Sequence, residues 1–303
     1  MTDVIPQPPT HFGPPPAERT PEGRLLYRDV VYAAVPGFRH LLLDLTVPPA
    51  EQPVPLVVWL HGGAWRHGSH KPVGALPWLG RLTERVLASG LALAAVQYRL
   101  SGETPFPGQL HDVKAAIRWL RAFGGRLGVD PDRIGVWGES AGGHLAALAA
   151  LTGDNPADAA TEGAQGVVGV DSRVRAGVDF YGPADLLRLG EQSGDTAPID
   201  HDAADSPESL LVGGPVQDDR AAAAFAGPIT HVHAQAPPLL IVHGERDRLV
   251  PCAQSRDLAA ALVGVGAPVE FVPVPGADHV LAGVDPDPVV DLAVDFLARA
   301  LRA

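Results

Sequence analysis

From residue 55 to its end, the chain alternates short continuous apolar runs with segments of helical periodicity. Continuous apolar runs are typical of strands buried on both faces, which occur in parallel sheets that helices cover on both sides. The pattern therefore predicts an α/β fold with a mostly parallel central sheet flanked by helices. The predicted strands are residues 56–60, 91–96, 134–137, 174–180, 239–242 and 269–274.

Residues 25–33 and 40–47 alternate apolar and polar positions instead, which predicts an antiparallel pair at one edge of the sheet. Helical spacing of apolar residues is clearest over residues 110–120 and 289–301. This spacing predicts two amphipathic helices that pack on the sheet. Asp287 precedes the second stretch, and we expect it to cap that helix.

Two segments depart from this rhythm. Residues 1–22 are rich in proline, which predicts an extended arm on the surface or, alternatively, a disordered tail. Residues 23–303 are predicted to form a single domain. Within it, residues 183–237 are acidic and Ala-rich with weak periodicity, so we expect short helices that form a lid-like insertion and influence substrate choice.

Composition narrows the classes of function. The 303 residues carry a formal net charge of -12, and the basic residues are scattered, so we expect no nucleic-acid partner. Cys252 is the only cysteine, which excludes an intrachain disulfide and a zinc site built from several thiolates. No apolar run is long enough to span a membrane, and we expect a cytoplasmic protein without a membrane partner.

Ser140 is the strongest candidate for a nucleophile. It lies between the predicted strand at residues 134–137 and an Ala/Leu-rich helical segment, within Gly138-Glu139-Ser140-Ala141-Gly142. A serine at a sharp strand-to-helix turn is the arrangement of a nucleophile elbow, where small neighbours let the chains pass closely. The context therefore predicts an activated serine, because a turn serine without chemistry needs no such flanking pattern.

A serine nucleophile needs a base and an acid that orients the base. On this topology they should follow later strands in the order acid, then histidine. Asp247 follows the strand at residues 239–242, and His279 follows the strand at residues 269–274. We predict these two as acid and base, with Glu245 as an alternative acid.

Two further carboxylates lie beside predicted catalytic residues. Asp278 adjoins His279 and is expected to point away from it, and Glu139 adjoins Ser140 and is expected to brace the surrounding loops. Neighbours on a tight turn cannot share the line of hydrogen bonds that a triad requires. Neither carboxylate is therefore predicted to act as the acid.

The oxyanion that forms during acyl transfer needs backbone N–H donors. Ala141 follows the nucleophile and opens a helix, so its amide is one predicted donor. Gly62 and Gly63 follow the strand at residues 56–60 and are predicted to supply the other amides, whereas His61 is expected to bond structurally. We also expect substrate-binding side chains near this loop, namely Trp65, Tyr98 and Tyr181.

The other histidines are expected to have structural roles. His231 and His233 could ligate a metal in principle, but no carboxylate or cysteine stands at matching short spacing. His144 lies one helical turn after Ser140 and is expected to pack near the site without titrating. We therefore predict neither a metal nor a cofactor.

Seven motifs along the chain form a recognisable set: His61-Gly62-Gly63-Ala64-Trp65, Tyr98-Arg99-Leu100, His111-Asp112-Val113-Lys114-Ala115-Ala116, Asp130-Pro131-Asp132-Arg133-Ile134, Gly138-Glu139-Ser140-Ala141-Gly142-Gly143, Asp179-Phe180-Tyr181-Gly182 and His243-Gly244-Glu245-Arg246-Asp247. With this set the chain resembles α/β-hydrolases related to hormone-sensitive lipase, and within them the feruloyl/acetyl-xylan esterase-like and alpha/beta hydrolase fold-3 carboxylesterases. The resemblance implies a serine carboxylesterase that cleaves small-molecule esters through an acyl-enzyme at Ser140.

Departures from this group keep alternatives open. Ala64 stands where hormone-sensitive-lipase relatives carry a third glycine, and Trp65 is similar to the residue in kynurenine formamidases. An amidase, formamidase or peptidase would use the same triad. A ligand receptor on this fold would typically have lost the base, and His279 argues against that reading. The sequence predicts no oligomeric state.

Overall fold

The computed structural model describes residues 9–71, 78–153, 158–194 and 197–302. Its centre is one nine-stranded sheet, in the order β1-β2-β3-β5-β4-β6-β7-β8-β9. The strands are β1 (Glu18–Arg19), β2 (Leu25–Ala34), β3 (His40–Val47), β4 (Val54–Leu60), β5 (Ala92–Val96), β6 (Val129–Glu139), β7 (Ala176–Phe180), β8 (Leu239–Gly244) and β9 (Val269–Val274).

The sheet is parallel from β5 through β4 to β9, and antiparallel at the edge formed by β1, β2 and β3. Every residue of β4, β7 and β8 is buried, as strands covered on both faces must be. The predicted parallel sheet of an α/β fold is therefore confirmed, and so is the antiparallel edge.

Helices cover both faces of the sheet. They are α1 (Leu79–Ala88), α2 (Gly108–Leu127), α3 (Ala141–Thr152), α4 (Ala159–Glu162), α5 (Leu189–Ser193), α6 (Pro207–Val212), α7 (Arg220–Ala226), α8 (Cys252–Gly264) and α9 (Asp287–Arg302). One core cluster packs α2, α3 and α8 on the sheet, and a second packs α1 and α9 on the opposite face. Successive residues of a strand point to opposite faces, so Val58 belongs to the first cluster and Trp59 to the second.

The apolar stripes predicted over residues 110–120 and 289–301 lie in α2 and α9. Helix α9 begins at Asp287 itself, one residue earlier than expected. The amide of Asp287 donates to Asp285 Oδ1 over 3.1 Å, so the side chain that caps the helix stands two residues before the predicted one.

The described part of the proline-rich segment, residues 9–22, contacts the domain through its backbone. The amide of Ala34 donates to the carbonyl of Thr10 over 2.8 Å, and Trp119 Nε1–H donates to the carbonyl of Phe12 over 2.7 Å. Strand β1 adds to the edge of the sheet beside β2. Residues 1–8 of the predicted arm lie outside the described residues.

The segment at residues 183–237 contains α5, α6, α7 and a 3₁₀ turn at Pro228–His231, and its residues 195–196 are not among those described. It contacts the loop between β5 and α2. The amide of Phe106 donates to the carbonyl of Leu211 over 2.7 Å, and Phe106 packs against Phe225 with ring centroids 5.7 Å apart. Among the described residues, no helix is long and apolar enough to cross a membrane.

Candidate active site

Ser140 occupies the junction between β6, which ends at Glu139, and α3, which begins at Ala141. Its backbone has φ 53° and ψ −121°, a conformation that a side-chain-bearing residue rarely adopts. Two hydrogen bonds hold it there, from Ser140 N–H to the carbonyl of Phe180 over 2.8 Å and from His144 N–H to the carbonyl of Ser140 over 3.0 Å. The turn presents the hydroxyl at the carboxyl edge of the sheet.

The glycines on either side of Ser140 are required by close backbone packing. A Cβ on Gly138 would lie 2.0 Å from the carbonyl oxygen of Gly142, and a Cβ on Gly142 would lie 2.1 Å from that of Leu60. Neither distance is compatible with a side chain. The Gly-x-Ser-x-Gly pattern therefore marks a strained turn that fits tightly against β4.

The structure brings Ser140, His279 and Asp247 into one line of hydrogen bonds. Ser140 Oγ lies 3.0 Å from His279 Nε2, and His279 Nδ1 lies 2.7 Å from Asp247 Oδ2. The carboxylate only accepts, so Nδ1 carries the proton and Nε2 presents its lone pair to the serine hydroxyl. This is the tautomer that a general base needs.

Asp247 is buried and remains ionised because several donors converge on it. Burial opposes ionisation, but hydrogen bonds from His243 and His279 outweigh it and lower the pKa of Asp247 to about 2. The other oxygen, Oδ1, accepts from the amides of Leu249 at 2.9 Å and Val250 at 2.8 Å. The acid is therefore fixed in position and in charge.

His243 is a member of the site that the sequence reading missed. Its buried ring places Nε2 2.7 Å from the carbonyl of Val250 and 3.3 Å from Asp247 Oδ2, and places Nδ1 2.6 Å from Ser255 Oγ. The signal was present in the sequence, because His243 stands at the end of a buried strand four residues before Asp247.

The amide of Ala141 is the first of its helix and so has no acceptor within the helix. Within the described residues, Gly63 N–H has no hydrogen-bond acceptor either. The prediction for Gly62 is wrong in this structure, because its N–H donates to Glu139 Oε1 over 2.6 Å and is no longer free to bind an oxyanion. Glu139 thus braces the glycine loop, as its position beside the nucleophile led us to expect.

The loop that follows β4 has an unusual backbone. Gly63, Ala64 and Trp65 have φ of 109°, 54° and 53°, three consecutive residues in a region that only glycine adopts at low cost. A Cβ at Gly63 would also lie 2.4 Å from the carbonyl oxygen of His67. The glycine is therefore needed both for its φ and for its close approach.

The three side chains expected to bind substrate are all buried in this structure, with Trp65 2% and both Tyr98 and Tyr181 0% exposed. Tyr98 donates its hydroxyl to the carbonyl of His61 over 2.7 Å, and the Tyr181 ring lies edge-on to His279 with centroids 5.1 Å apart. Their predicted role in binding substrate stays a prediction. They support the loops and rings of the site from behind.

The carboxylates of Glu245 and Asp278 do not contact the His279 ring at Nδ1. Glu245 is exposed, and its amide donates to the carbonyl of Val274. Asp278 accepts from the amide of His279 over 2.8 Å and from Arg248 Nε over 2.7 Å, so its carboxylate faces away from the imidazole. Asp247 alone of the three reaches His279 Nδ1.

The histidines considered as metal ligands make structural bonds. His231 and His233 each direct Nε2 at a backbone carbonyl, of Phe225 at 2.7 Å and of Leu151 at 3.0 Å. Their contacts therefore belong to the packing of the insertion. Cys252 opens α8 in a buried position, and that burial raises the pKa of its thiol.

Asp29, Asp44 and His70 place ligand-type atoms within 4.8 Å of one another. Lys71 Nζ lies 2.9 Å from Asp29 Oδ1 and 2.7 Å from Asp44 Oδ2. The ammonium already supplies the positive charge that this acidic group would otherwise draw from an ion.

A cleft of about 650 Å³ lies beside Asp247 and the loop that carries His279. Arg246, Arg248 and Asp278 line it, so both signs of charge are present at its wall. The cleft is therefore a polar surface next to the loops that carry Asp247 and His279.

Comparison with known proteins places this geometry among esterases. Esterase LipQ of Mycobacterium tuberculosis is 34% identical over 276 residues, which cover 89% of this chain and 61% of the relative. A truncated carbohydrate esterase from gut microbiota superposes with a TM-score of 0.79 at 28% identity and covers 96% of this chain and 100% of that chain. Esterase 2 of Thermogutta terrifontis, solved phosphoramylated by tabun, has a TM-score of 0.68 at 26% identity, over 89% of this chain and 92% of that one.

These similarities agree with the nine-stranded sheet and establish the α/β-hydrolase fold. The chain spans 61% of the length of LipQ. The BD-FAE family model matches residues 43–262, a range that contains the glycine loop, Ser140 and Asp247. The chain therefore belongs to the BD-FAE family of α/β-hydrolases.

Proposed function

We propose that this protein is a serine carboxylesterase that cleaves small-molecule esters through an acyl-enzyme at Ser140. One observation carries the proposal: Ser140 Oγ, the His279 ring and the Asp247 carboxylate form a continuous line with separations of 3.0 and 2.7 Å. A strained elbow holds the serine, and buried backbone bonds hold the aspartate. Holding the serine backbone in a strained conformation costs free energy of folding, and a serine with a purely structural role would not require that strain.

In the acylation step, Ser140 Oγ attacks the carbonyl carbon of the ester while His279 Nε2 takes the hydroxyl proton. Asp247 stabilises the imidazolium that forms, because its carboxylate stays ionised. The carbonyl oxygen becomes an oxyanion near the amides of Ala141 and Gly63. His279 then donates the proton to the departing alcohol.

In the deacylation step, His279 accepts a proton from water, and the hydroxide equivalent attacks the acyl carbon. The second tetrahedral intermediate uses the same two amides, and its collapse releases the carboxylic acid while His279 Nε2 returns the proton to Ser140 Oγ. The cycle needs the lone pair on His279 Nε2 in both halves, first to take the serine proton and then to take a proton from water.

The relatives support ester chemistry and suggest a class of substrate. LipQ is named an esterase, and the gut structure is named a carbohydrate esterase. Because the chain spans only 61% of LipQ, the proposed activity rests on the residues of this chain and not on the whole of that relative. Acetylated sugars therefore join short aryl esters as the substrates to test first. The single thiol, Cys252, suits a reducing compartment, and we propose a cytoplasmic location.

The test is a substrate panel measured on the wild-type protein and on Ser140→Ala. It contains p-nitrophenyl esters of rising acyl length, acetylated xylan, a feruloyl ester and N-formylkynurenine. We expect turnover of at least one ester and its loss in Ser140→Ala. Ser89→Ala is the matched control, because that serine ends α1 far from the elbow, and it should keep full activity.

The same panel separates the competing readings. Turnover of N-formylkynurenine alone would identify an amidase with this triad. Failure of every substrate, combined with failure of a fluorophosphonate probe to label the protein, would identify a receptor and reject the proposal.

A further inference from the structure

The strained loop after β4 is anchored at one side chain. Trp65 has φ 53°, yet its indole is buried and donates Nε1–H to His144 Nδ1 over 3.2 Å. The carbonyl of Trp65 accepts from the amide of Ser101 over 2.8 Å. Left-handed backbone in a residue with a side chain costs about 1–2 kcal/mol, so this conformation persists only where contacts impose it.

His144 can accept the indole proton in only one state. Tryptophan has a donor and no acceptor, so Nδ1 of His144 must carry a lone pair. The ring proton then lies on Nε2, which is 2.7 Å from the carbonyl of Ala226, an acceptor. Both bonds require the same neutral tautomer, and burial favours it because it lowers the pKa of His144 to about 4.

The ring of His144 therefore joins three parts of the site. Its backbone amide binds the carbonyl of Ser140 over 3.0 Å, which fixes it to the nucleophile turn. Its side chain reaches Trp65 in the glycine loop and Ala226 at the end of α7. The indole and imidazole meet edge to face, at 80° with centroids 5.0 Å apart, so the geometry is fixed by packing as well as by hydrogen bonds.

We propose that His144 and Trp65 are positioning residues that hold the glycine loop so that the amide of Gly63 points at the developing oxyanion. The inference rests on the proposed esterase function and adds residues that do not touch the reacting atoms. Its physical basis is that Gly63 and Trp65 belong to one run of positive φ angles, so the orientation of the amide follows from where the indole is tied. The link to Ala226 ties the same loop to the insertion.

An oxyanion donor stabilises the transition state more than the bound substrate. Loss of the anchor should therefore lower kcat and leave KM nearly unchanged. Trp65→Phe removes the indole N–H and keeps an aromatic ring, and we expect kcat to fall about 10- to 100-fold.

A trifluoromethyl ketone provides the readout that a merely structural role would not change. Its carbonyl carbon bonds to Ser140 Oγ, the serine proton passes to His279, and the carbonyl oxygen becomes an oxyanion. Its inhibition constant should rise in Trp65→Phe by the same factor as kcat falls. Trp119→Phe is the matched control, because the indole of Trp119 is equally buried and donates to the carbonyl of Phe12, away from the site. It should lower the melting temperature without changing kcat.

A second pair of variants keeps the test decisive if Trp65→Phe does not fold. His144→Leu removes both bonds and should behave as Trp65→Phe. His144→Asn places an amide oxygen where Nδ1 stands, can accept from the indole, and should restore most of kcat.

The inference is overturned if kcat survives the loss of the anchor, if kcat falls while ketone affinity is unchanged, or if His144→Asn is as poor as His144→Leu. Wild-type turnover and its loss in Ser140→Ala, measured in the same assay, test the esterase function separately. If only the positioning role is wrong, wild-type turnover and its loss in Ser140→Ala will both still be observed.

Discussion

At the scale of single residues, Asp247 can pair with His279 because the two oxygens of its carboxylate have separate partners. Oδ1 accepts from two backbone amides of its own turn, and Oδ2 faces His279 Nδ1 at 2.7 Å and His243 Nε2 at 3.3 Å. Glu245, two residues earlier, is exposed and makes none of these contacts. The turn geometry therefore selects the acid.

Asp247→Asn tests this selection. The amide can keep the backbone bonds but presents either a weaker acceptor or a donor to His279 Nδ1, so the productive tautomer is lost. We expect kcat/KM for a p-nitrophenyl ester to fall about 10³- to 10⁴-fold. Glu245→Gln, the matched control, should leave it within about twofold. Similar losses in both variants would show that Asp247 is not the orienting acid.

Sequence reasoning recovered the residues whose positions follow from chain order. Ser140, Asp247 and His279 each follow a strand of a parallel sheet, and the carboxyl ends of such strands meet at one edge. Gly62 was misassigned because its partner, Glu139, is 77 residues away and pairs with it only after β4 and β6 have aligned. Pattern alone does not show which amide a buried carboxylate will occupy.

At the scale of elements, the nucleophile turn depends on close packing between α3 and the end of β4. Continuous apolar runs identified the strands, because burial on both faces leaves that signature. They located strand ends less well: β6 begins at Val129, five residues before the predicted start, since residues 130–133 are at least partly exposed and mostly polar. The glycines predicted a tight turn at the elbow, but they did not indicate which backbone segments would pack against it.

Gly142→Ala tests the packing of the elbow. The new Cβ would lie 2.1 Å from the carbonyl oxygen of Leu60 and 2.6 Å from that of His61, both of them backbone atoms. We expect loss of activity by at least about 100-fold and destabilisation of about 1–3 kcal/mol, measured by ester hydrolysis and urea unfolding. Gly125→Ala is the control, because its Cβ would meet open space on α2. It should retain activity and gain about 0.5–1 kcal/mol, and a harmless Gly142→Ala would contradict the packing argument.

At the scale of the whole molecule, two buried aspartates make stability depend on pH in opposite directions. Burial raises the pKa of Asp179 to about 6, and its Oδ2 has no partner among the described residues. The contribution of Asp179 to the free energy of unfolding is therefore fully present below about pH 4 and is lost as pH rises through 6. Asp247 has a pKa of about 2, so its contribution is present above about pH 4 and is lost as pH falls toward 2.

Urea unfolding at a series of pH values tests both signs. Relative to the wild-type protein, Asp179→Asn should gain about 3 kcal/mol of unfolding free energy between pH 4 and pH 8. Asp247→Asn should instead gain about 2 kcal/mol relative to wild type as pH falls from 5 to 2. If the unfolding free energies of the wild type and a variant changed with pH in parallel, the pKa shift assigned to that aspartate would be contradicted.

Two helices of the insertion at residues 183–237 contact the rest of the domain. The carbonyl of Ala226 at the end of α7 binds the His144 ring, and the carbonyl of Leu211 in α6 binds the amide of Phe106. The acidic, weakly periodic sequence of the insertion predicted short helices without indicating where they would pack. In both contacts the insertion supplies a backbone carbonyl, and a backbone group leaves little trace in composition.

The central claim is that Ser140 is the nucleophile, and covalent labelling tests it most directly. The wild-type protein is treated with a fluorophosphonate probe, residual esterase activity is followed, and the adduct is located by peptide mass mapping. We predict one adduct per chain, on Ser140, that appears in step with the loss of activity and is absent from Ser140→Ala. An adduct on another residue, or full activity after complete labelling of Ser140, would contradict the account.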